Sequence, residues 1–169
     1  MTVVLAGLAV SGFANAQDRV VDFESAMIGK PIPTWADQGV TFELAHQPQK
    51  SKAKGRVSFF PHIGTNRKGI VNAMANESIP LRATFEKPVK KVELVLWGST
   101  TSAALVEAFD ADGKRIAKNG LEQVPVRKTP EEHVPFFELS VAGESIAYVE
   151  ISGAQPGGFV AVDEVRFGR

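Results

Sequence analysis

The feature that most constrains this chain is the alternation of apolar and polar residues in short runs bounded by turn residues. Alternation with a period of two places successive side chains on opposite faces of an extended strand. No long stretch has the period of an amphipathic helix. We therefore predict an all-β protein, with one or two fewer separate strands than the runs suggest. The predicted strands are 19–24, 39–45, 56–60, 69–74, 80–86, 90–97, 103–109, 114–118, 134–141, 145–151 and 158–167.

Short strands at this spacing are typical of a single β-sandwich or barrel domain. The chain has 169 residues, 44% of them hydrophobic, and 19 Lys and Arg residues balance 19 Asp and Glu residues. We therefore expect one ordinary core and no nucleic-acid partner, because no overall charge would attract one. Asp110-Ala111-Asp112-Gly113 predicts a hairpin turn. A calcium loop is the alternative for these two aspartates, although its other oxygen ligands are missing.

Residues 1–16 have the character of a signal peptide. An apolar run is followed by Ala14-Asn15-Ala16, the small-x-small form of a signal peptidase site, although no Lys or Arg precedes Arg19. The alternative is a buried N-terminal strand or helix. The chain has no cysteine, which excludes disulfides and thiolate metal sites. We expect a secreted or periplasmic bacterial protein with a single β-sandwich domain over residues 17–169 and no membrane-spanning segment in the mature chain.

The last predicted strand raises a question about Asp163. Strict alternation over 158–167 places this carboxylate in the middle of an apolar face, where an ionised group is costly unless it has a partner. Three explanations are open: a metal ion, hydrogen bonds from loop amides or a cation such as Arg19, or a β-bulge that turns Asp163 outward. The residues predicted to share its face are Phe159, Ala161, Val165 and Phe167.

Three segments of the second half, "VEAFDADGKRIAKN", "FFELSVAGESIAYVEISG" and "GGFVAVDEVRF", resemble the C-terminal half of galactose-binding-like jelly rolls. This β-sandwich occurs in many carbohydrate-binding modules and in bacterial exported proteins of the PEP-CTERM kind. "VVDFESAMIGKPIPTWADQGVTFE" resembles its first two strands, so the resemblance covers about residues 18–167. It implies an antiparallel two-sheet β-sandwich, and it specifies the fold rather than a ligand. The sequence ends at Arg169 without the sorting helix of PEP-CTERM proteins, so surface anchoring by that route is not implied.

The resemblance also implies a structural calcium ion. In many such jelly rolls the ion lies where the first and last strands meet, and carboxylates of those strands hold it together with backbone carbonyls. A hard cation with oxygen ligands would also compensate the charge of Asp163. This prediction depends on the two terminal strands being neighbours in one sheet. The matching positions, and hence the predicted metal ligands, are Asp22, Glu24, Asp163 and Glu164.

Two loops carry the residues best suited to binding a ligand. "FFPHIGTNRKG" combines aromatic rings with side chains that form forked hydrogen bonds, the chemistry by which proteins hold a sugar ring or a carboxylate. Trp35 lies between the first two strands, where it is predicted to be a stacking platform for a sugar; a position in the core or as a plug of its loop is the alternative. Trp97 is assigned to the core. The predicted ligand-binding residues are Trp35, Phe60, His62, Asn66 and Arg67.

Signatures of catalysis are scarce. His46, His62 and His133 fall in predicted loops without metal-binding spacing, and we expect each to face solvent. No catalytic residue is assigned. We expect an exported, non-catalytic binding module for carbohydrate or a cell-envelope polymer, with calcium as a structural cofactor. The alternatives are a carbohydrate-active hydrolase or lyase on the same sandwich, whose carboxylate spacing only the fold can reveal, and a structural or adhesive exoprotein.

Overall fold

The computed structural model describes residues 18–29, 31–47, 55–72, 79–98, 103–153 and 160–168. The predicted signal peptide, residues 1–16, lies outside these ranges. Within them no helix is long and apolar enough to cross a membrane. The chain in these ranges forms ten strands: β1 Arg19–Asp22, β2 Trp35–Asp37, β3 Val40–Leu44, β4 Val57–Pro61, β5 Lys68–Asn72, β6 Leu81–Gly98, β7 Ala104–Phe109, β8 Arg115–Leu121, β9 Phe136–Gly153 and β10 Val160–Gly168.

The strands form an antiparallel β-sandwich of two layers joined by one continuous hydrogen-bond network. The order is β2-β3-β6-β9-β7-β8 in the first layer and β4-β5-β10-β6-β9 in the second, where β1 also pairs with β10. The long strands β6 and β9 contribute one half to each layer, because β6 pairs with β3 over 81–85 and with β10 over 91–98. The β6–β9 register shifts between Thr84 and Lys91. Pro88 lies in this irregular segment and cannot donate to a ladder, so the pair can bend here from one layer to the other.

This continuity explains most of the difference between predicted and observed strands. The predicted strands 80–86 and 90–97 are parts of β6, and 134–141 and 145–151 are parts of β9. Breaks in alternation that resemble turns are irregularities inside a strand. The three-residue strand β2 was not predicted, because it is too short for alternation to be visible. The predicted hairpin at 110–113 is confirmed: the Asp110 carboxylate accepts hydrogen bonds from the amides of Asp112 and Lys114, and Gly113 has a φ of +78°.

One apolar core fills the space between the layers. Phe85 of the first layer and Phe167 of the second have ring centroids 5.1 Å apart. At the β2 end of the sandwich, Phe23 lies 5.3 Å from Phe42 of β3 and 6.0 Å from Phe59 of β4, so rings from both layers meet there. Full burial of such a side chain contributes about 1.5–3 kcal/mol, which makes the inter-layer core the main stabilising element.

The alternation of inner and outer side chains in β10 shifts by one residue at Asp163. Val162 pairs with Leu96 of β6 and Glu164 pairs with the next residue, Val95, so Asp163 is the extra residue of a β-bulge. Consequently Asp163 and Glu164 both lie on the outer face of the second layer, away from the main core.

The bulge corrects the alternation predicted from the sequence. Val160 and Val162 contact the main core before the bulge, and Val165 and Phe167 contact it afterwards. Strict alternation would have buried only one of these pairs. The prediction that Asp163 shares its face with Val165 and Phe167 is therefore wrong, because one inserted residue reverses the pattern between them.

Candidate functional site

Five charged side chains of alternating sign cross the outer face of the second layer. Arg67 Nη2 pairs with the carboxylate of Asp163 and lies 3.4 Å from Glu164 Oε2. Arg166 Nε donates to Glu164 Oε1, and Arg166 Nη1 lies 3.8 Å from Glu138 Oε1. We call this set, Asp163, Arg67, Glu164, Arg166 and Glu138, the ion chain.

Three elements position the ion chain. Glu164 and Arg166 lie on the outer face of β10, and Glu138 of β9 is opposite the β6 residue that also pairs with Glu164. Arg67 ends the loop between β4 and β5, which is closed by a 2.8 Å hydrogen bond from the His62 amide to the Arg67 carbonyl. The Arg67 amide donates to Thr65 Oγ1 at 3.2 Å. The loop thus holds Arg67 above the β10 bulge.

An apolar cluster separate from the main core forms the floor of the site. It consists of Val71, Trp97, Val134 and Ala161, with Phe136 packed against it. The Arg67 guanidinium carbon lies 5.0 Å from the centroid of the Phe136 ring, a cation–π distance. Trp97 is 1% exposed, so its assignment to the interior is confirmed, although it packs outside the main core.

His62 is part of this floor, and the prediction that it faces solvent is wrong. Its side chain is stacked on Phe136 at 4.2 Å between ring centroids and meets Trp97 edge-on at 5.2 Å. Nε2 lies 2.8 Å from the Val134 carbonyl, so Nε2 carries the proton and Nδ1 accepts from Thr65 Oγ1 at 3.0 Å.

The pKa of His62 is lowered from its ordinary value, and the first cause is burial. The hydrogen bond to Val134 acts in the opposite direction, while the positive charges of His133 and Arg67 lower the pKa further. His62 is therefore a neutral, structural imidazole near pH 7.

Asp163 is 1% exposed, and burial raises its pKa to about 6. The Arg67 charge opposes this shift, and the negative charges of Glu24 and Glu164 add to it. Apart from the ion pair, neither carboxylate oxygen has a hydrogen-bond partner among the described residues. Of the three explanations for Asp163, two therefore apply together: a cation compensates it and a β-bulge turns it outward. The cation is Arg67 rather than Arg19, whose guanidinium donates to the Gln38 carbonyl at 3.1 Å.

The predicted adjacency of the terminal strands is confirmed. β1 is antiparallel to β10, and Asp22 is the direct partner of Glu164. Near this junction the ammonium of Lys68 donates to the backbone carbonyls of Glu24 and Ala26, the second at 3.0 Å.

The residues at this junction do not fit a calcium ion. Asp22 is exposed and its Oδ1 accepts from the Glu24 amide at 3.2 Å, while Glu24 Oε1 accepts from the Lys68 amide at 3.2 Å. Asp163 is paired with Arg67. In the part of the chain that the structure describes, no three His, Asp or Glu side chains are grouped so as to hold a metal ion. The Lys68 ammonium thus occupies the Glu24 and Ala26 carbonyls and Arg67 pairs with Asp163 and Glu164, while Asp22 accepts from a backbone amide.

The residues predicted to bind a ligand are divided between two places. Phe60, 44% exposed, and the exposed Asn66 lie with His62 and Arg67 on the β4–β5 hairpin, beside the ion chain. Trp35 lies elsewhere, in β2, where it packs into the core.

Trp35 takes the alternative position considered for it. Its ring centroid is 5.0 Å from that of Phe23, 5.8 Å from Phe42 and 5.6 Å from Phe59. A ring in contact with three others offers little surface to a sugar, so the geometry does not support a stacking role for Trp35.

Three residues of the site, Phe136, Glu138 and Arg166, were not predicted from the sequence. Alternation in β9 and β10 places Glu138 and Arg166 on the outer faces of their strands, and this pattern is the only sign of them in the sequence. It could not show that the two strands flank the same segment of β6, because strand order is not visible in a single sequence.

Comparisons with known proteins identify the fold. No protein-family model matches the sequence, and no curated protein matches it. Among solved structures, the K1 cleaved adhesin domain of Lys-gingipain from Porphyromonas gingivalis W83 has a TM-score of 0.52 at 13% identity, covering 89% of this chain and 97% of that one. CBM29_1, a family 29 carbohydrate-binding module from Piromyces equi, has a TM-score of 0.50 at 11% identity, covering 91% of each chain.

Identities this low show the fold alone. The protein is an antiparallel β-sandwich of the galactose-binding-like jelly-roll type, with the fold of carbohydrate-binding modules and adhesin domains. The fold class predicted from the sequence is confirmed. The relation to PEP-CTERM proteins stays a prediction.

Proposed function

We propose that this protein is an exported, non-catalytic binding module for carbohydrate, either a free polysaccharide or a cell-envelope polymer, and that the ion chain is its binding surface. The observation that carries the proposal is the row of alternating guanidinium and carboxylate groups above an apolar floor. A sugar hydroxyl both donates and accepts hydrogen bonds, so a row of fixed donors and acceptors matches a surface of hydroxyls. The fold of carbohydrate-binding modules supports the same ligand class by analogy.

The exposure of the ion chain supports a binding role. The side chains of Arg67, Arg166 and Glu138 are 41%, 42% and 73% exposed, whereas those of Glu164 and Asp163 are 16% and 0% exposed. The buried Asp163 and the partly buried Glu164 therefore hold the two guanidinium groups in place, and the exposed groups are available to a ligand. Ordering these side chains before binding reduces the entropy that a ligand must remove.

The hydrolase alternative has less support from this site. Asp163 has the raised pKa of a general acid, but its side chain is buried beneath the Arg67 guanidinium. A glycosidic oxygen would have to approach within hydrogen-bond distance of this carboxyl group to receive a proton. The proposal therefore assigns Asp163 to holding Arg67 in position.

The proposal is tested by retention on a panel of immobilised polysaccharides. We expect the wild type to be retained by at least one polymer, without release of reducing ends or unsaturated products. Arg166→Gln should weaken retention on the order of tenfold, because a charge-assisted hydrogen bond is lost. Arg115→Gln is the matched control, since Arg115 forms an exposed ion pair with Glu107 on the first layer.

Three results would contradict the proposal: no retention on any polymer, equal losses in the two variants, or product release. Export is tested separately by expression of the full sequence in a bacterium. We expect the protein recovered outside the cytoplasm to begin at Gln17, as the signal peptidase site predicts.

A further inference from the structure

We infer that the ion chain selects neutral polysaccharides over acidic ones. The inference rests on the proposed function and names the ligand class of that same site. It follows from the charge balance of the ion chain, in which three carboxylates face two guanidinium groups.

Each cation of the site already has carboxylate partners. Arg67 lies between Asp163 and Glu164, and Arg166 lies between Glu164 and Glu138. An acidic group on the ligand would approach either guanidinium beside one or two fixed negative charges. The carboxylates of the ion chain repel an acidic group of the ligand, and this repulsion weakens the binding of every acidic sugar that contacts the ion chain.

The neighbouring charges do not reverse this balance. Lys68 follows Arg67 in the sequence, but its ammonium is turned toward the carbonyls of Glu24 and Ala26. Glu93 is a further negative charge near Arg166, but it is paired with Lys91 at 2.8 Å, so this pair adds no net charge to the site. The whole chain has a formal net charge of zero, so no long-range field compensates the local excess of carboxylates.

Hydrogen-bond capacity favours the neutral ligand as well. A carboxylate on the ligand only accepts hydrogen bonds, so it can accept from Arg67 or Arg166 but cannot donate to Glu164 or Glu138. A hydroxyl group can accept from a guanidinium and donate to the adjacent carboxylate. A neutral polysaccharide can therefore match both kinds of group at every contact, whereas an acidic one loses the match to the carboxylates wherever its acidic group meets the ion chain.

The test compares two forms of one backbone. The polymer that retains the protein best in the panel is compared with its carboxymethylated form if it is neutral, or with its carboxyl-reduced form if it is acidic. We expect the neutral form to bind at least tenfold more tightly at low ionic strength, where charge effects are least screened. Glu138→Gln should reduce this ratio by about threefold or more, because it leaves two carboxylates facing two guanidinium groups.

Glu122→Gln is the matched control, since it makes the same change in net charge at an exposed position after β8. Its ratio should equal that of the wild type. Tighter binding of the acidic form, equal binding of the two forms, or equal shifts in both variants would overturn the inference and leave the proposed function in place. Absence of retention on every polymer would overturn the proposed function itself.

Discussion

Asp163 and His62 are buried titratable groups beside Arg67 whose pKa values are shifted in opposite directions. The pKa of Asp163 is raised from 3.8 to about 6, so the native state binds this proton more tightly than the unfolded chain does. Its contribution to stability is fully present below pH 3.8 and is lost as the pH rises through about 6. The pKa of His62 is lowered from 6.5, so its contribution is present above pH 6.5 and is lost as the pH falls.

We expect these two contributions to oppose each other between pH 3.8, the ordinary pKa of Asp163, and about 6, its pKa in the native state, because His62 acts at pH values below 6.5. Relative to the wild type, the free energy of unfolding of Asp163→Asn should rise with pH across this window, because only the wild type loses the Asp163 contribution as the pH rises. That of His62→Gln should fall with pH. Each slope is at most about 1.4 kcal/mol per pH unit. Urea unfolding at three pH values measures both slopes, and slopes of the same sign in the two variants would contradict the assignment.

Gly64 allows the β4–β5 loop to turn beside His133. Its φ is +98°, and a Cβ at this position would overlap the His133 ring. Gly64→Ala should therefore lower the free energy of unfolding by about 1–2 kcal/mol for the backbone conformation, with a further loss for the steric conflict.

Gly29 is the matched control for this substitution. Its φ is +87°, but a Cβ added to Gly29 would have no atom within 4 Å, so Gly29→Ala should show the backbone cost alone. Combining Gly64→Ala with His133→Ala should reduce the loss to the Gly29→Ala level. If the double variant is as unstable as Gly64→Ala, His133 is not the cause.

The partner of Asp163 could not be predicted from the sequence, although the need for one could. An isolated carboxylate in an apolar run signals compensation, and this much is local information. Arg67 is distant in sequence and reaches Asp163 only because β5 and β10 are paired at Ile70 and Val162. Arg67 was predicted to bind a ligand because of the residues of its loop, and the ion pair that fixes its position was not foreseen.

Among the strands, β10 provides a direct test of the bulge. Deletion of Asp163 leaves "VAVEVRF", which alternates regularly and keeps all four core-facing residues on the inner side. We expect the deletion variant to fold with a melting temperature equal to or above that of the wild type, because a buried carboxylate and an irregularity are both removed.

Deletion of Val165 is the control for this prediction. It removes a core residue and directs Arg166 toward the inside, so the variant should fail to fold. Comparison of the two melting curves and circular dichroism spectra provides the measurement. A deletion of Asp163 that unfolds the protein would show that the bulge is required for the pairing of β10.

Trp35 connects β2 to the aromatic end of the core. Trp35→Ala should lower the free energy of unfolding by about 3 kcal/mol, the lower end of the range for large aromatic residues, because the side chain is only partly buried. Trp35→Phe should lose less, since a ring remains against Phe23. Urea denaturation gives both values. Loss of glycan retention by Trp35→Ala at unchanged stability would instead assign Trp35 to ligand binding.

Alternation predicts where strands lie but not where they end. In β6 and β9 the polar or irregular residues between two runs resemble a turn, yet each chain segment continues through a bend from one layer to the other. A bulge and a turn break alternation in similar ways, and only the neighbouring strand distinguishes them. Pro88 and Gly143 lie at these breaks, and both residue types are common in turns and in bulges alike.

On the scale of the whole molecule, the side chains of Lys68 and Arg67 stabilise the junction between β1 and β10. Lys68→Met removes the hydrogen bonds to the Glu24 and Ala26 carbonyls and should lower the free energy of unfolding by about 1–3 kcal/mol. Lys118→Met, at an exposed position in β8, is the control and should change stability by less than about 0.5 kcal/mol.

The same junction predicts the response to chelators. Because Lys68 binds the Glu24 and Ala26 carbonyls and Arg67 pairs with Asp163, EDTA should leave the melting temperature of the wild type unchanged. A drop in melting temperature that added calcium reverses would show that the ion predicted from the sequence is bound after all.

The pairing of β1 with β10 also makes the first and last strands of the domain neighbours, with Arg19 directly opposite Phe167. A domain whose first and last strands are neighbours can be inserted into a surface loop of another protein without distorting either partner. For the same reason, the ends can be joined by a short linker and the chain reopened elsewhere, for example in the Asp110–Gly113 turn. The architecture thus suits the module to combination with other domains in many orders.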